Sequence, residues 1–417
     1  MAVHDRAASR RKFLQYLAAS PLLGAAGASA FAADPSATGA KLPDPMIWAP
    51  LQSLITNPKD AINVFEFEPV AFKNVPPAHF GYMASGIDDE VTLRANREGF
   101  LKFQLRPRRL VDVSKVDMSI ELFGSKWDTP IVIAPTGGNK FFHPDGEVAV
   151  SKAAKTGNHL QMLSTSATTS VEDATAARAA PIWFQLYASP SWDVAKALIL
   201  RAERAGCPVV ALTVDRVAGR NQETMARLRR IDTRTCSDCH QSGAVARAKR
   251  RPNYDGIDLS AMGSMESNNL SWEFVKRLRD TTKMKIVIKG LVTAEDAKLC
   301  VDNGMDGLIV SNHGGRGEDN GRSTIDILPE VVEVVQRKIP VLVDSGFRRG
   351  TDIVKALAIG ADAVCVGRPY LWGLGAFGQP GVEAVLQILR TELKSAMQQC
   401  GVRSVKDMTP AFVRRTT

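Results

Sequence analysis

Eight short apolar runs recur along the chain, and amphipathic helical stretches separate them. The runs are Ile131–Pro135, Leu160–Ser164, Ile182–Tyr187, Val209–Asp215, Lys285–Gly290, Gly307–Ser311, Pro340–Ser345 and Ala363–Gly367. Because continuously apolar strands are buried on both faces, their alternation with helical stretches such as Trp192–Ala205 and Thr351–Ile359 predicts a parallel sheet covered by helices. Eight such repeats predict an α/β fold of the (β/α)₈ TIM barrel type rather than an open doubly wound sheet.

Two additions to the barrel are predicted from the spacing of these runs. The barrel itself occupies residues 131–405, and residues 34–130 form an N-terminal helical segment that we expect to reach the mouth of the active site. About seventy residues separate the fourth and fifth runs, which predicts a long insertion at residues 216–271, after strand 4. A chain of 417 residues is an ordinary length for a barrel that carries such insertions.

The first 33 residues are predicted to be a twin-arginine signal peptide rather than part of the fold. Arg10 and Arg11 precede a weakly apolar stretch at residues 16–31, and small residues at 30–32 suit a signal peptidase. A chance arginine pair on a disordered tail is the alternative. No later segment has 18 uninterrupted apolar residues, so we expect the mature protein to be soluble. Because the twin-arginine route carries folded proteins, the signal predicts export of the folded protein to the bacterial periplasm.

Polar side chains stand at the carboxyl ends of the predicted strands. They include Thr136, Ser164, Gln185, Tyr187, Thr213, Asp215, Lys289, Ser311, Asp344 and Arg368. Barrel enzymes carry their active site at this end, so these side chains are expected to share one site. Asp344–Arg348 and Gly367–Pro369, after the last two strands, combine glycine N–H groups with arginines and therefore predict a phosphate site.

The loop after the sixth strand, Ser311–Arg316, combines a base with a fixed positive charge. His313 and Arg316 are separated by two glycines, which let the backbone turn and let a flat ligand approach closely. The two side chains can therefore converge on one small anion. A glycine-rich turn with two incidental polar residues is the alternative for this stretch taken alone.

The order and spacing of several motifs resemble the FMN-dependent 2-hydroxy-acid oxidase and dehydrogenase family, which includes glycolate oxidase, lactate oxidase, mandelate dehydrogenase and flavocytochrome lactate dehydrogenase. The matching motifs are Tyr82–Gly86, Ile133–Gly137, Gln185–Tyr187, Leu212–Asp215, Ile288–Gly290, Ser311–Arg316 and Gly367–Pro369. The resemblance covers roughly residues 60–405. It implies an FMN enzyme that oxidises a small anionic (S)-2-hydroxy acid, such as L-lactate, to the 2-oxo acid.

The resemblance also implies which residues carry the chemistry. His313 would remove the proton of the substrate hydroxyl while a hydride, or a carbanion electron pair, passes to flavin N5. Asp215 would stabilise the resulting imidazolium, and Tyr187 would contact the substrate oxygen. Lys289 would lie near flavin N1 and favour the anionic reduced flavin. Further FMN contacts would come from Pro135, Thr136, Gly137, Ser164, Gln185, Thr213, Ser311, Asp344, Gly346, Arg348, Gly367 and Arg368.

Substrate binding by the same resemblance falls to Arg316, as a bidentate clamp on the carboxylate, with Tyr82 beside it. Most members carry a second carboxylate-binding arginine seven residues after the aspartate. Gln222 occupies that position here, in a loop that is one residue shorter. Either Arg220 reaches the same place or the second clamp is missing, so the identity of the substrate stays open.

A Cys-x-x-Cys-His pattern lies within the predicted insertion. Cys236, Cys239 and His240 match the attachment pattern of c-type haem, with two thioethers and an axial histidine. Haem is attached in the periplasm, where the predicted signal would deliver the chain. A local Cys236–Cys239 disulfide and an adventitious metal site are the alternatives, and no metal site is assigned elsewhere.

The insertion concentrates most of the positive charge. Between residues 216 and 251, ten basic side chains face three acidic ones, a net charge of +7 against +9 for the whole chain. This charge can steer an anionic substrate, or it can dock an acidic electron acceptor or an anionic lipid surface. A mobile, solvated loop is the alternative. Nucleic acid is not an expected partner, because the chain has no recognisable module for it.

Export and the haem pattern together favour a dehydrogenase that passes electrons to a haem, a periplasmic cytochrome or a quinone. An oxidase that reduces oxygen to hydrogen peroxide is the close alternative. Another FMN barrel enzyme, or a haem-binding or partner-binding scaffold without catalysis, fits less well with the set His313, Lys289 and Arg316. Members of the family are often tetramers, so a homo-oligomer is expected.

Overall fold

The computed structural model describes residues 54–234 and 243–416. Within these residues, eight parallel strands close into a barrel in chain order, which confirms the predicted fold. The strands are β1 (Ile131–Ile133), β2 (Leu160–Ser164), β3 (Trp183–Leu186), β4 (Val209–Thr213), β5 (Lys285–Leu291), β6 (Gly307–Val310), β7 (Val341–Val343) and β8 (Ala363–Val366). Pairing of Val364 in β8 with Ile131 in β1 completes the ring.

Helices surround the barrel and precede it. In chain order they are α1 (Phe67–Asn74), α2 (Pro77–Ala84), α3 (Val91–Glu98), α4 (Gly146–Thr156), α5 (Val171–Arg178), α6 (Trp192–Arg204), α7 (Glu223–Arg230), α8 (Ala244–Ala248), α9 (Trp272–Thr281), α10 (Ala294–Asp302), α11 (Thr324–Val335), α12 (Gly350–Ile359), α13 (Arg368–Phe377) and α14 (Gln379–Cys400). Ser170, Thr293 and Ser323 cap α5, α10 and α11 by accepting a hydrogen bond from the third helical N–H. No helix of the described part of the chain is long and apolar enough to cross a membrane.

Two short antiparallel pairs accompany the barrel in the described residues. Phe103–Leu105 pairs with Val413–Arg415, and Ile120–Leu122 pairs with Ser125–Trp127 in a hairpin. The hairpin residues Ile120 and Trp127 belong to the same buried cluster as the inward-facing barrel residues.

This hairpin closes the end of the barrel at which the strands begin. Its turn residue Phe123 packs against Trp183, with ring centroids 5.4 Å apart, and a Cβ on Gly307 would meet its ring at 3.2 Å. Both contacts are at the first residue of a strand. Because the interior is filled and this end is covered, a ligand site belongs at the opposite, carboxyl end.

The first half of the insertion packs against the N-terminal segment. A Cβ on Gly81 in α2 would meet the Cα of Met225 in α7 at 3.0 Å, so the two helices touch backbone to backbone. The N–H of Ala78 also donates to Asp232 at 3.0 Å. Helix α2 is therefore held from outside by the insertion.

The second half of the insertion, residues 243–271, is anchored to the barrel. The amide nitrogen of Asn253 donates to the carbonyl oxygens of Ser164 and Thr165, each at 3.2 Å, and its amide oxygen accepts from the N–H of Val171 at 2.9 Å. Ser189 donates to the carbonyl oxygen of Met262 at 2.9 Å, and Met262 is fully buried. Residues 243–271 are therefore attached to the barrel at Asn253 and Met262, while many of their other side chains remain exposed.

Two predicted segments lie outside the described residues. They are the signal peptide at residues 1–33 and the haem pattern of Cys236, Cys239 and His240. Both stay predictions from the sequence.

Replacing Asn253 with alanine should destabilise the protein by on the order of 2–4 kcal/mol, because three buried backbone groups lose their hydrogen-bond partner. Urea denaturation followed by circular dichroism measures the change. Asn268→Ala, at an exposed position of the same segment, should stay within about 0.5 kcal/mol of the parent. Equal stability of the two variants would show that the insertion does not depend on this anchor.

Candidate active site

A cavity that is open to solvent lies at the carboxyl ends of the strands. Its lining includes predicted site residues from the N-terminal segment and from six strand ends, namely Tyr82, Pro135, Thr136, Gly137, Tyr187, Lys289, His313, Arg316, Asp344, Gly346, Arg348, Gly367 and Arg368. Gly314, one of the two glycines noted in the sequence, lines it as well. No individual role was predicted from the sequence for the remaining lining residues, Met83, Ala134, Ser345, Phe347, Cys365 and Leu371.

The loop after β6 makes a tight left-handed turn. His313, Gly314 and Gly315 have φ angles of +58°, +71° and +74°. A Cβ on Gly315 would lie 2.6 Å from the backbone nitrogen of Leu93, so α3 approaches too closely for any side chain. This turn leaves the His313 ring in the cavity while Arg316 lies three residues further on.

His313 is held at both ring nitrogens. Its Nδ1 lies 2.8 Å from Oδ1 of Asp215, and its Nε2 lies 3.2 Å from the hydroxyl of Tyr187. Asp215 is an acceptor when ionised, so Nδ1 carries the proton and Nε2 presents its lone pair to the cavity. The geometry is that of a neutral imidazole ready to accept a proton.

Burial keeps His313 neutral. Burial lowers the pKa of His313 to about 4, and the positive charge of Lys289 adds to this effect, while Asp215 opposes it. Burial alone would raise the pKa of Asp215, but the neighbouring His313 and Lys289 outweigh it and lower that pKa to about 2. At neutral pH the pair is therefore a carboxylate beside a neutral base.

Lys289 contacts polar side chains that follow three different strands. Its Nζ donates to the Ser311 hydroxyl at 2.8 Å and lies 3.3 Å from Oδ2 of Asp344 and 3.9 Å from Oδ2 of Asp215. Burial alone would lower the pKa of Lys289, but the two carboxylates outweigh it and raise that pKa. The lysine is thus a buried, permanently charged ammonium at the floor of the cavity.

Arg316 and Tyr82 form the opposite wall. The Nη1 of Arg316 donates to the carbonyl oxygens of Tyr82 and Ser85, each at 2.7 Å, and its guanidinium lies 4.9 Å from the centroid of the Tyr82 ring. Since these contacts use Nη1, the rest of the guanidinium remains available for a carboxylate.

Arg220 and Gln222, both in the loop after β4, contact different residues. Nη1 of Arg220 donates to the carbonyl oxygen of Arg316 at 3.4 Å, which brings Arg220 beside the Arg316 backbone but not into the cavity lining. Gln222, at the position of the expected second arginine, donates to the Ser85 hydroxyl at 3.2 Å. Of the two residues, Arg220 is the one that brings a second positive charge close to Arg316.

Four of the predicted cofactor contacts lie beneath the cavity rather than on its surface. Ser164 donates to Gln185 and Gln185 to Thr213, each at 2.9 Å, in a hydrogen-bonded row across three neighbouring strands. Ser311 donates to Asp344 at 2.8 Å while it accepts from Lys289. None of the four is in the cavity lining.

Two buried arginines, Arg348 and Arg368, line the cavity, and Nη2 of Arg368 donates to the carbonyl oxygen of Ser85 that also accepts from Arg316. Burial lowers the pKa of Arg348 to about 9 and that of Arg368 to about 10, and repulsion from Arg368 contributes to the shift of Arg348. Gly367 lies between β8 and α13, and a Cβ there would meet only Ala134, at 3.9 Å, so its side of the cavity is open. Adjacent buried cations beside an open glycine favour an anionic ligand such as a phosphate.

Comparison with known proteins identifies the family. A model of the FMN-dependent dehydrogenases matches residues 71–415. The chain belongs to this family. A peroxisomal (S)-2-hydroxy-acid oxidase of Oryza sativa subsp. japonica is 41% identical over 356 residues, which are 84% of this chain and 95% of that protein. Glycolate oxidase 3 of Arabidopsis thaliana is 40% identical over 364 residues, with the same coverage of 84% and 95%.

Solved structures agree with this assignment to the FMN-dependent dehydrogenases. A lactate oxidase of Pediococcus acidilactici matches with a TM-score of 0.78 and 32% identity, over 86% of this chain and 96% of that one. A soluble mutant of the membrane-associated (S)-mandelate dehydrogenase of Pseudomonas putida matches with a TM-score of 0.77 and 34% identity, over 85% of this chain and 99% of that one. The chain is therefore an FMN-dependent oxidoreductase.

The cavity of this FMN-dependent dehydrogenase fits its cofactor. The buried guanidinium groups of Arg348 and Arg368, with the open side of Gly367, suit the FMN phosphate. Lys289 and the Pro135–Gly137 segment, which line the same cavity, would hold the flavin ring end. FMN supplies a two-electron acceptor when it is bound.

Several residues near the site carry no motif that sequence reasoning could have used. Arg216 places its guanidinium 4.9 Å from the centroid of the Tyr187 ring and pairs with Glu266 at 2.6 Å. Burial and the charge of Asp215 raise the pKa of Glu318 to about 7, and Oε1 of Glu318 is buried with no hydrogen-bond partner in the described residues. The high density of arginine in the insertion was the available signal for Arg216.

The rate of flavin reduction should fall as the pH falls through about 4, and it should be independent of pH above about 6, because protonation of His313 removes the base. The profile of kcat/KM against pH measures this, since it reports the ionisation of the free enzyme. An acid limb near the ordinary histidine pKa would contradict the burial argument.

Replacing Asp215 with asparagine should lower kcat by at least about 10³-fold, because the imidazolium loses its counter-charge and the ring its fixed tautomer. The acid limb should also move to lower pH, because Asp215 raises the pKa of His313. The measurement is anaerobic stopped-flow reduction at several pH values, with FMN content as the control for folding. A variant that reduces its flavin at the parent rate would remove Asp215 from the mechanism.

Proposed function

We propose that this enzyme oxidises a small (S)-2-hydroxy acid to the corresponding 2-oxo acid, with L-lactate as the simplest candidate. The observation that carries the proposal is the placement of His313, fixed by Asp215 and aimed at Tyr187, in the same cavity as Arg316. A base and a carboxylate clamp in one cavity match the two functional groups of a 2-hydroxy acid. The similarity to (S)-2-hydroxy-acid oxidases and to (S)-mandelate dehydrogenase supports the same substrate class.

The proton of the substrate hydroxyl passes to Nε2 of His313. As the O–H bond breaks, the carbon–oxygen bond becomes a carbonyl. FMN, held by Arg348, Arg368 and Lys289, would supply the acceptor for the hydrogen on the α-carbon and its electron pair. Asp215 stabilises the positive charge that forms on the imidazole ring. The organic product is therefore the 2-oxo acid, and His313 is left as the imidazolium.

The substrate is oriented by the opposite wall. Arg316 pairs with the carboxylate through the nitrogen atoms that its backbone contacts leave available, and Tyr82 donates a second hydrogen bond. Arg220 supplies additional positive charge in place of the missing second arginine. Tyr187 contacts the substrate oxygen, and buried Lys289 keeps a positive charge that stabilises negative charge on the cofactor.

The electron acceptor is proposed to be a haem, a periplasmic cytochrome or a quinone. Support comes from the export signal and from the haem pattern of Cys236, Cys239 and His240 in the sequence. Reduction of oxygen to hydrogen peroxide is the second candidate, and it is supported by the similarity to glycolate oxidase 3. A periplasmic location and a homo-oligomeric assembly, as a tetramer, belong to the same proposal.

The visible absorption spectrum of protein purified from a periplasmic fraction tests these proposals. Anaerobic L-lactate, followed by a panel of other 2-hydroxy acids, should bleach the flavin bands. Sharp haem bands that appear on reduction would support an electron exit at Cys236, Cys239 and His240. Absence of haem, with hydrogen peroxide formed in air, would favour the oxidase. Flavin bands that ignore the whole panel would overturn the substrate class.

The variant His313→Gln should retain FMN but lose flavin reduction by at least about 10³-fold, because the general base is gone while the cavity wall is kept. Single-turnover reduction under anaerobic conditions measures the loss, and the flavin spectrum reports cofactor content. Normal reduction by this variant would show that another group takes the proton.

A further inference from the structure

Tyr82, which lines the cavity, has more positive charge near it than one carboxylate needs. Burial alone would raise the pKa of Tyr82, but four arginines outweigh it, so that pKa is lowered. Those four are Arg316, Arg216, Arg251 and Arg220. Arg316 and Arg220 are assigned to the carboxylate beside the hydroxyl. Arg216 and Arg251, which belong to the insertion, have no part in that reaction.

Arg216 is already neutralised. It pairs with Glu266 at 2.6 Å and lies over the Tyr187 ring. Its role is therefore to fix the position of Tyr187 and of the Glu266 segment rather than to meet an anion.

Arg251 has a different environment. Its guanidinium lies 5.1 Å from the centroid of the Phe141 ring, and the Phe141 ring meets the Tyr82 ring edge-on at 6.3 Å. In the described residues no carboxylate lies within ion-pair distance of Arg251. Two residues further on, Asn253 anchors the segment to the barrel. Arg251 is thus a positioned cation that has no counter-charge among residues 54–234 and 243–416.

Tyr254 supplies a second, independent observation. Its side chain is 2% exposed, and its hydroxyl is buried with no hydrogen-bond partner in the described part of the chain. Arg251, Glu266 and Tyr187 are the charged and polar groups that act on this hydroxyl. A buried hydroxyl without a partner costs free energy, which a ligand can recover by accepting its hydrogen bond.

We propose that Arg251 and Tyr254 form a subsite for a second carboxylate, at the far end of the substrate's side chain. This inference rests on the proposed function and narrows its substrate class to 2-hydroxy dicarboxylic acids. Arg316 with Tyr82 binds the carboxylate next to the hydroxyl, and Arg251 with Tyr254 binds the distal one.

The test compares two substrates of equal chain length with the FMN-loaded enzyme. (S)-2-Hydroxyglutarate carries the second carboxylate, and (S)-2-hydroxypentanoate ends in a methyl group at the same carbon. The ratio of kcat/KM for anaerobic flavin reduction should favour the dicarboxylate by at least about 10-fold, because a site built to bind a polar group rejects an analogue that lacks it. A ratio of one or less would overturn the inference.

Single-residue variants test whether Arg251 and Tyr254 cause this preference for the dicarboxylate. Arg251→Met should reduce the ratio towards one, mainly through a higher KM for the dicarboxylate, and Arg251→Lys should retain part of it. Tyr254→Phe should reduce the ratio by a few-fold, as the loss of one hydrogen bond predicts. The matched control is Lys249→Met, which removes the same charge from an exposed position of the same segment and should leave the ratio unchanged.

The outcomes separate this inference from the proposed function. If (S)-2-hydroxypentanoate and L-lactate bleach the flavin but the dicarboxylate has no advantage, the subsite is wrong and the 2-hydroxy-acid chemistry stands. If the advantage persists in Arg251→Met, or disappears equally in Lys249→Met, general charge steering replaces the subsite. If no 2-hydroxy acid bleaches the flavin, both proposals fail.

Discussion

The contact on which the rest of the site depends is the buried ammonium of Lys289 between Asp215 and Asp344. Two carboxylate charges this deep in the barrel are costly to bury unless a cation lies between them. Lys289 supplies it, and the ionised Asp215 can then hold the Nδ1 proton of His313. The partners follow β4 and β7 and the lysine lies within β5, so closure of the barrel is what assembles the network. The fold and the acid–base chemistry therefore both require that β4, β5 and β7 end at the same level of the barrel.

Much of the fold could be predicted from the sequence because its signal is local and repeated. Each apolar run is long enough to identify a buried strand by itself, and the observed β2, Leu160–Ser164, has the predicted bounds. The organisation of the insertion could not be predicted in this way. Its anchors are single hydrogen bonds, such as those of Asn253 to the backbone after β2, between residues more than eighty positions apart. Basic composition left a solvated loop open as an alternative, and it carried no signal for these anchoring contacts.

The residues of the candidate site also fall into two groups, those that a sequence motif predicted and those that only tertiary packing brings together. His313, Arg316 and Lys289 stand in short motifs, and the structure brings all three into one cavity. Arg251 and Tyr254 stand in no motif, and only tertiary packing places them near Tyr82 and Tyr187. Ser164 is an intermediate case, because its position at a strand end was correct while its side chain supports a hydrogen-bonded row below the cavity. A strand position predicts which end of the barrel a residue occupies, but not which side chains its polar atoms will contact.

The close packing of α2 on α7 has a thermodynamic consequence. Gly81 lies against the backbone of Met225, and the next residue along α2 is Tyr82, so a displacement of α7 cannot leave the position of Tyr82 unchanged. A macromolecule that binds the basic insertion and shifts α7 will alter the affinity for substrate. Linkage requires the reciprocal effect, so substrate must alter the affinity for that macromolecule by the same factor. The contact of Gly81 with Met225, together with the hydrogen bond from Ala78 to Asp232, would carry that coupling between the insertion and the active site.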